Sequence, residues 1–413
     1  MITVEPEAPQ LKRSLSLSLV TLYGIGTILG AGIYVLVGKV AGYAGMFTPI
    51  AFLVSALLAA FSALSYAELS ARFPKSAGEA VYVHEGLQWR HLSIIVGVTI
   101  ALSGTISTAT LVHGFVGYFE IFFQFPPALV MIVLIVLLAS VVIWGISQSV
   151  VAAALMTVVE IGGLVMIIWV ARDGLVEVPA SFPTLVPSLE LTAWHGIMLG
   201  SIVAFYAFLG FEDIVNVAEE VRNPSRNLPL AIILALVVTT VFYMLVALVS
   251  IMGVPPRELA QTDAPLAMLY TRLTGNSPVV ISLISLVAVL NGALIQMIMA
   301  SRVLYGMSRQ GWLPPWLGRV NRHTRTPLLA TLVVTGSVTL FSLWLPLLSL
   351  AQLTSFITLI IFALINLSLW QIKRRVPVPA DIRTIPVWVP VSGFVSSSAF
   401  VIYQAAHFLW GEG

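Results

Sequence analysis

Eleven stretches of about twenty mostly apolar residues recur along this chain, and no other feature limits its fold so tightly. They are centred near Gly30, Ala56, Ser107, Val136, Leu164, Phe208, Val241, Leu290, Gly336, Ile361 and Ser398. A bilayer core needs about 20 apolar residues per helical crossing, so each stretch is long enough to span. They are apolar all round rather than along one stripe, which is not the pattern of helices in a water-soluble bundle. Composition agrees. Of 413 residues, 59% are hydrophobic and 9% charged, against roughly a quarter charged in a soluble domain. The reading is an all-α polytopic membrane protein with short loops and no separate soluble domain. It excludes a cytosolic enzyme, a nucleic-acid binder and a secreted disulfide scaffold. With no cysteine, the chain has no disulfide framework, thiolate metal site or cysteine nucleophile.

The breaks between stretches carry turn and charge signals, among them Arg72-Phe73-Pro74-Lys75, Phe125-Pro126-Pro127, Asn223-Pro224, Pro255-Pro256, Arg325-Thr326-Pro327 and Lys373-Arg374-Arg375. The short Gly145–Ser149 connection has no charge, so the division of spans four and five rests on length alone. With a cytoplasmic N-terminus, sixteen Lys and Arg residues fall on the inside and four, Lys39, Arg172, Arg257 and Arg272, on the outside. That is a strong positive-inside bias, and an odd number of spans then puts the C-terminus outside. The first stretch follows Lys12-Arg13 but is too long for a signal-peptide core and lacks a small-residue cleavage site, so it reads as a retained span.

Spans one and six differ from the rest. The first holds Gly24, Gly26, Gly30 and Gly32 within nine residues, each weakening a helix interior by about 1 kcal/mol relative to alanine. The sixth places Gly210, Glu212 and Asp213 at mid-membrane depth. If the first ten spans form two repeats of five, these are corresponding positions, and paired interrupted segments point to a transporter's binding site. Unwound backbone in lipid exposes N–H and C=O groups that cost several kcal/mol each unless satisfied. A substrate carboxylate suits N–H groups at the start of a half-helix, and an ammonium suits carbonyls at the end of one. The competing reading treats Gly26-x-x-x-Gly30 and Gly38-x-x-x-Gly42 as close-packing notches between helices. The coincidence of Gly30-Ala31-Gly32 with the sixth-span interruption favours binding.

Ionisable groups within spans are functional candidates by default. Glu160, in the fifth span, is either a proton carrier or a protonated hydrogen-bond donor tying helices together. Glu212 is the stronger candidate because it lies beside the interruption; Asp213 points about 100° away on a helix. Glu219 and Glu220 oppose the helix dipole at a C-terminus, so they are expected to pair with Arg222 or with basic residues on another loop, as a cytoplasmic gate or a static cap. Asn291, Gln296, Thr354, Ser355 and Asn366 either line a path or make interhelical hydrogen bonds. The six histidines form no HExxH pair, and Gly38-Lys39 lacks the earlier glycine of a phosphate-binding loop. No cofactor and no metal site are expected.

Four stretches carry a family likeness: Gly26-Thr-Ile-Leu-Gly-Ala-Gly-Ile33, Leu209-Gly-Phe-Glu-Asp213 running into Ala218-Glu-Glu-Val-Arg-Asn-Pro-Ser-Arg-Asn-Leu-Pro229, Ala300-Ser-Arg-Val-Leu-Tyr-Gly-Met-Ser-Arg-Gln-Gly311, and Arg325-Thr-Pro327. In these the sequence resembles bacterial amino acid permeases of the amino acid–polyamine–organocation superfamily. The resemblance implies a leucine-transporter-like fold with a five-plus-five inverted repeat, helices 1 and 6 broken, and about eleven transmembrane helices. The expected division is a cytoplasmic segment 1–16, a first repeat over 17–171, a second over 196–372, and an additional helix over 385–410. It also implies that backbone groups around Ile28, Gly30, Ala31 and Gly32 hold the substrate carboxylate and part of its ammonium. Carbonyls around Tyr206, Ala207 and Leu209 complete the ammonium site, with Tyr206 at the aromatic position that covers the substrate. Glu212 falls where several relatives have an acid tied to proton sensing or gating.

Two departures follow. Glu160 stands where many relatives have a lysine that replaces a sodium ion; a carboxylate cannot imitate a cation, so it binds a cation or a proton itself if it takes part. The chain also stops after span eleven where twelve is commoner, so no oligomeric interface is carried over from relatives. The expected function is secondary active transport of an amino acid across the bacterial plasma membrane by alternating access, coupled to H+, with a neutral substrate favoured. The alternatives are a polyamine, cationic amino acid or ethanolamine carrier or exchanger, or a non-transporting amino acid sensor on the same scaffold.

Overall fold

The computed structural model describes residues 11, 13–120, 122–188, 190–262, 264–344, 347–376 and 382–410. In chain order its α-helices are α1 (Leu17–Ala44), α2 (Thr48–Arg72), α3 (Gly78–Leu87), α4 (Arg90–Phe119), α5 (Pro127–Trp144), α6 (Ile146–Val170), α7 (Arg172–Leu185), α8 (Leu191–Ala207), α9 (Pro224–Gly253), α10 (Pro256–Gln261), α11 (Pro265–Thr274), α12 (Val279–Arg309), α13 (Leu328–Trp344), α14 (Leu347–Arg375) and α15 (Trp388–Trp410). Proline opens α5, α9, α10 and α11 at the first helical turn, where its missing N–H is not needed. No strand occurs among the described residues; one isolated parallel bridge joins Leu15 to Val221.

Among the described residues ten segments are long and apolar enough to cross a membrane, and α13, at 17 residues, is a shorter eleventh. At 1.5 Å per residue α13 is about 26 Å long, slightly under a bilayer core. All eleven expected spans are therefore helical. The four–five division falls at Gly145 alone, between Trp144 and Ile146. The expectation of short loops needs correction in three places, where the connections carry helices. α3 separates spans two and three, α7 separates spans five and six, and α10 and α11 separate spans seven and eight.

α1 runs through the middle of the molecule, packed against α6, α8, α9 and α12, while α2 lies along α9 and α4 along α12. Peripheral helices keep large apolar side chains outward, such as Val136 and Leu137 on α5 and Val237 and Val241 on α9. Such faces suit a lipid surround.

Two inner helices are interrupted. α1 leaves helical geometry at Gly30 (φ 1°, ψ −139°). The sixth span ends its α-helix at Ala207, turns through residues 208–211, and continues as a 3-10 helix over Glu212–Glu220. Both breaks, expected from the glycines of span one and from Gly210, Glu212 and Asp213 in span six, are present.

Candidate functional site

The glycines of α1 divide by what surrounds them. A Cβ at Gly26 would meet Thr157 Oγ1 at 2.0 Å and Asn291 Nδ2 at 2.5 Å. One at Gly32 would meet the Ala207 Cα at 2.9 Å, so α1 and α8 touch backbone to backbone there. At Gly30 the nearest atom is the Gly292 Cα at 4.0 Å. Gly38 and Gly42 abut Leu259 and Ala260 of α10, so that pair is a packing notch.

Span six supplies the facing half. Gly210 has φ +126°, a conformation side chains rarely adopt, and its Cβ position lies 2.6 Å from Thr27 Cγ2. The Gly210 N–H donates to Glu212 Oε2 at 2.8 Å, so Glu212 satisfies an amide freed by the break. The two breaks are tied together by Tyr243 of α9. Its hydroxyl lies 2.7 Å from the Ala207 carbonyl oxygen and also contacts the Ile28 carbonyl oxygen. One hydroxyl proton serves one acceptor at a time, so the two carbonyls together retain capacity for a further donor.

A cavity opens between the breaks. Of the site residues expected from sequence, Ile28, Gly30, Gly32, Tyr206, Leu209 and Glu212 line it. Ala207 stands behind this wall with its carbonyl turned to Tyr243. Ala31 continues α1, but its side chain lies outside the described residues. The cavity volume is about 70 Å³. That accommodates on the order of five to seven waters, or roughly 150–200 Å³ of displaced liquid, the scale of one small organic molecule.

Asp213 also lines the cavity and accepts from Gln296 Nε2 at 2.6 Å. A third carboxylate, Glu79 of α3, faces the same space and is 1% exposed. Its Oε1 accepts from Asn216 Nδ2 at 3.2 Å, while Oε2 has no hydrogen-bond partner among the described residues. Burial pushes the Glu79 carboxyl up to about 8, opposed by hydrogen bonds from its own backbone and Asn216 and aided by nearby Glu212. No lysine, arginine or histidine lines this cavity among the described residues.

Glu160 lies elsewhere. It is fully buried on α6, does not line the cavity, and accepts from Asn291 Nδ2 at 2.8 Å. That nitrogen also lies 3.0 Å from Thr157 Oγ1, which reaches the Leu22 carbonyl of α1 at 3.2 Å. The Tyr34 hydroxyl donates to the Glu160 carbonyl at 2.7 Å. Glu160 thus belongs to a network joining α1, α6 and α12. Of the other polar candidates, Gln296 and Thr354 line the cavity. Asn291 and Asn366 bridge helices, Asn366 accepting from Ser65 Oγ and donating to Ser62 Oγ.

The expected partners of Glu219 and Glu220 need correction. Glu220 pairs with Arg302 of α12, with two nitrogen–oxygen distances of 3.4 Å and both side chains fully buried. Arg302 is therefore not a loop residue, and Arg222 is exposed. Glu219 accepts from the Ser76 N–H at 3.1 Å and the Tyr305 hydroxyl at 3.4 Å. The N-terminal segment adds a short clasp. Ser14 and Leu15 N–H groups donate to the Glu220 carbonyl at 3.0 Å, and Arg222 N–H donates to the Leu15 carbonyl at 2.9 Å.

Sequence reasoning missed Glu79, Tyr243 and the Arg302 pair. Glu79 sits in a short helix with charged flanks and reads as loop. Tyr243 sits in Val241-Phe242-Tyr243-Met244 and reads as core. Only an acid and a base both held out of water signalled the pair, and nothing local said which acid met Arg302.

The model of the amino acid permease family matches residues 15–409. Among curated proteins, the branched-chain amino acid permease BcaP of Bacillus subtilis is 29% identical over 391 residues, covering 89% of this chain and 82% of the relative. The vacuolar cationic amino acid transporter 2 of Arabidopsis thaliana is 30% identical over 408 residues, covering 91% of this chain and 62% of the relative. The methylthioribose transporter of Bacillus subtilis is 28% identical, covering 96% of this chain and 88% of the relative. A multi-pass helical chain with paired helix breaks around a buried cavity, matched over nearly its whole length, is a transporter rather than an enzyme: it belongs to the amino acid permease family of the amino acid–polyamine–organocation superfamily.

Proposed function

We propose that this transporter moves an amino acid across the bacterial plasma membrane by alternating access, in uptake coupled to H+. The observation that carries the reading is the meeting of two broken helices on one cavity, with Ile28, Gly30 and Gly32 on one side and Tyr206 and Leu209 on the other. The substrate carboxylate takes the backbone N–H groups near Gly30 and Gly32. The ammonium takes carbonyls around Ile28, Tyr206 and Leu209, with the Ala207 carbonyl held behind them by Tyr243, and Tyr206 covers the bound molecule. Glu212 gates and Glu160 carries the proton. Two of the relatives are named for branched-chain and cationic amino acids, which supports an α-amino acid as the substrate class. Residues 17–171 and 196–372 act as the two inverted repeats, 385–410 as an added helix, with the N-terminus cytoplasmic and the C-terminus outside.

A second reading has its own support. Three carboxylates, Glu79, Glu212 and Asp213, line a cavity without a basic residue among those described, which favours a polyamine, a cationic amino acid or ethanolamine. Uptake of a labelled amino acid and amine panel into proteoliposomes, with and without sodium and under an imposed pH gradient, tests both. Accumulation of neutral amino acids driven by inward H+ is the expected result. Accumulation of amines alone selects the second reading, and binding without accumulation or exchange makes the chain a sensor. Glu160→Gln is expected to uncouple uptake from the pH gradient; unchanged pH dependence leaves Glu160 as a structural hydrogen-bond partner.

A further inference from the structure

We propose that a groove formed by α2, α9 and residues 382–385 binds an anionic phospholipid, its phosphate held by Arg226 and Arg383. The groove has a volume of about 580 Å³ and is lined by Leu64, Ala67, Pro229, Leu230 and Ile233, with the two arginines among its polar wall. It lies where α2 ends at Arg72 and α9 begins at Pro224, and both helices are membrane spans. The groove is therefore at a membrane–water boundary whichever way the protein is oriented.

Charge selects the ligand. Among the described residues the one acid in the wall, Glu68, is already neutralised: Arg72 and Lys373 each approach it at 2.7 Å, and the Ile385 N–H donates to it at 2.8 Å. The Arg226 and Arg383 side chains have no hydrogen bond or ion pair among the described residues. Guanidinium groups match phosphate oxygens bidentately. A basic pocket between spans at the interface is the arrangement that takes lipid headgroups.

The walls select a lipid over a free phosphate. From Leu230 and Ile233 an exposed apolar lane continues along α9 through Leu234, Val237 and Val241, with exposures of 43–54% for the last three. These positions recur at three- to four-residue spacing, so they share one face of the helix. Leu230 to Val241 spans about 16 Å, enough to lay a long part of an acyl chain against the protein. The bound lipid joins the start of α9 to α2 and to the segment after α14, and α9 is the helix whose Tyr243 ties the two breaks together.

Purified protein stripped of lipid is titrated with phosphatidylglycerol, phosphatidylcholine or inorganic phosphate, and binding is read by native mass spectrometry and thermal shift. Phosphatidylglycerol is expected to bind and to raise the melting temperature by several degrees, with neither effect from the other two. Arg226→Gln/Arg383→Gln is expected to lose about tenfold in phosphatidylglycerol affinity, while Arg319→Gln/Arg322→Gln stays within twofold. Arg383→Gln alone, in a segment outside the helices, gives an intermediate loss if the double variant does not fold. Equal binding of phosphatidylcholine, full reproduction of the shift by phosphate, or unchanged phosphatidylglycerol affinity in the variants overturns the proposal.

Discussion

Replacing Tyr243 with phenylalanine removes one oxygen from the point where the two broken helices meet. The ring itself is held by edge contacts to Phe52 and Phe208, with centroids at 5.7 and 5.0 Å, so the packing survives the change. The side chain is fully buried, and no water replaces the lost hydroxyl without new space. The substitution deletes the 2.7 Å bond to the Ala207 carbonyl and leaves that group and the Ile28 carbonyl without their shared donor. A buried acceptor stripped of its partner costs about 1–3 kcal/mol, and this is the expected loss of stability in substrate-free protein. Substrate acts in the opposite direction. An ammonium offers three donors and Ile28 lines the cavity, so substrate restores to the Ile28 carbonyl what the hydroxyl supplied. The stabilisation gained on adding substrate is therefore expected to be larger in Tyr243→Phe than in the parent. Thermal unfolding of the two proteins, with and without substrate, reads both quantities. A variant as stable as the parent, with the same increment from substrate, refutes the assignment of the Ile28 carbonyl to the ammonium site.

Glu79→Gln tests the third carboxylate. Because burial raises the folded-state carboxyl to about 8 from an ordinary value near 4.5, folding favours the protonated form. Its contribution to stability is fully present below about pH 4.5 and is lost as pH rises towards 8, at no more than about 1.4 kcal/mol per pH unit. Melting temperature against pH is expected to flatten over that window in the glutamine variant; an unchanged slope contradicts the assignment. Arg302→Met leaves the fully buried Glu220 without its cation and is expected to cost about 3–5 kcal/mol. Glu220→Gln on that background recovers most of the loss, and unfolding of the single and double variants measures the coupling.

The eleven spans and the two breaks were legible because lipid imposes them. A backbone in hydrocarbon must be helical, and four glycines within nine residues or two carboxylates at depth are tolerated only where something compensates. Six residues expected at the site line one cavity for that reason. What stayed hidden depended on distant pairings. Tyr243 meets Ile28 across 215 positions, and Arg302 meets Glu220 across 82, so no local pattern marked either partner. The short helices α3, α7, α10 and α11 were hidden too, because amphipathic segments between spans resemble loops in hydropathy. Glu160 shows where composition leaves a choice: a lone acid in a span reads as a proton carrier or as a tie between helices, and Asn291 and Thr157 place it in a network between helices.

Gly32→Val tests the proposed binding of substrate where the first and sixth spans break. The added Cβ falls 2.9 Å from the Ala207 Cα, so α1 and α8 must separate at the site while the rest of both helices keeps its packing. Direct binding of the transported amino acid to purified Gly32→Val, measured beside uptake into proteoliposomes, is the decisive measurement. Near-normal expression with binding and uptake both abolished is the expected result. Retained affinity in a folded variant would remove the carboxylate site from Gly30–Gly32.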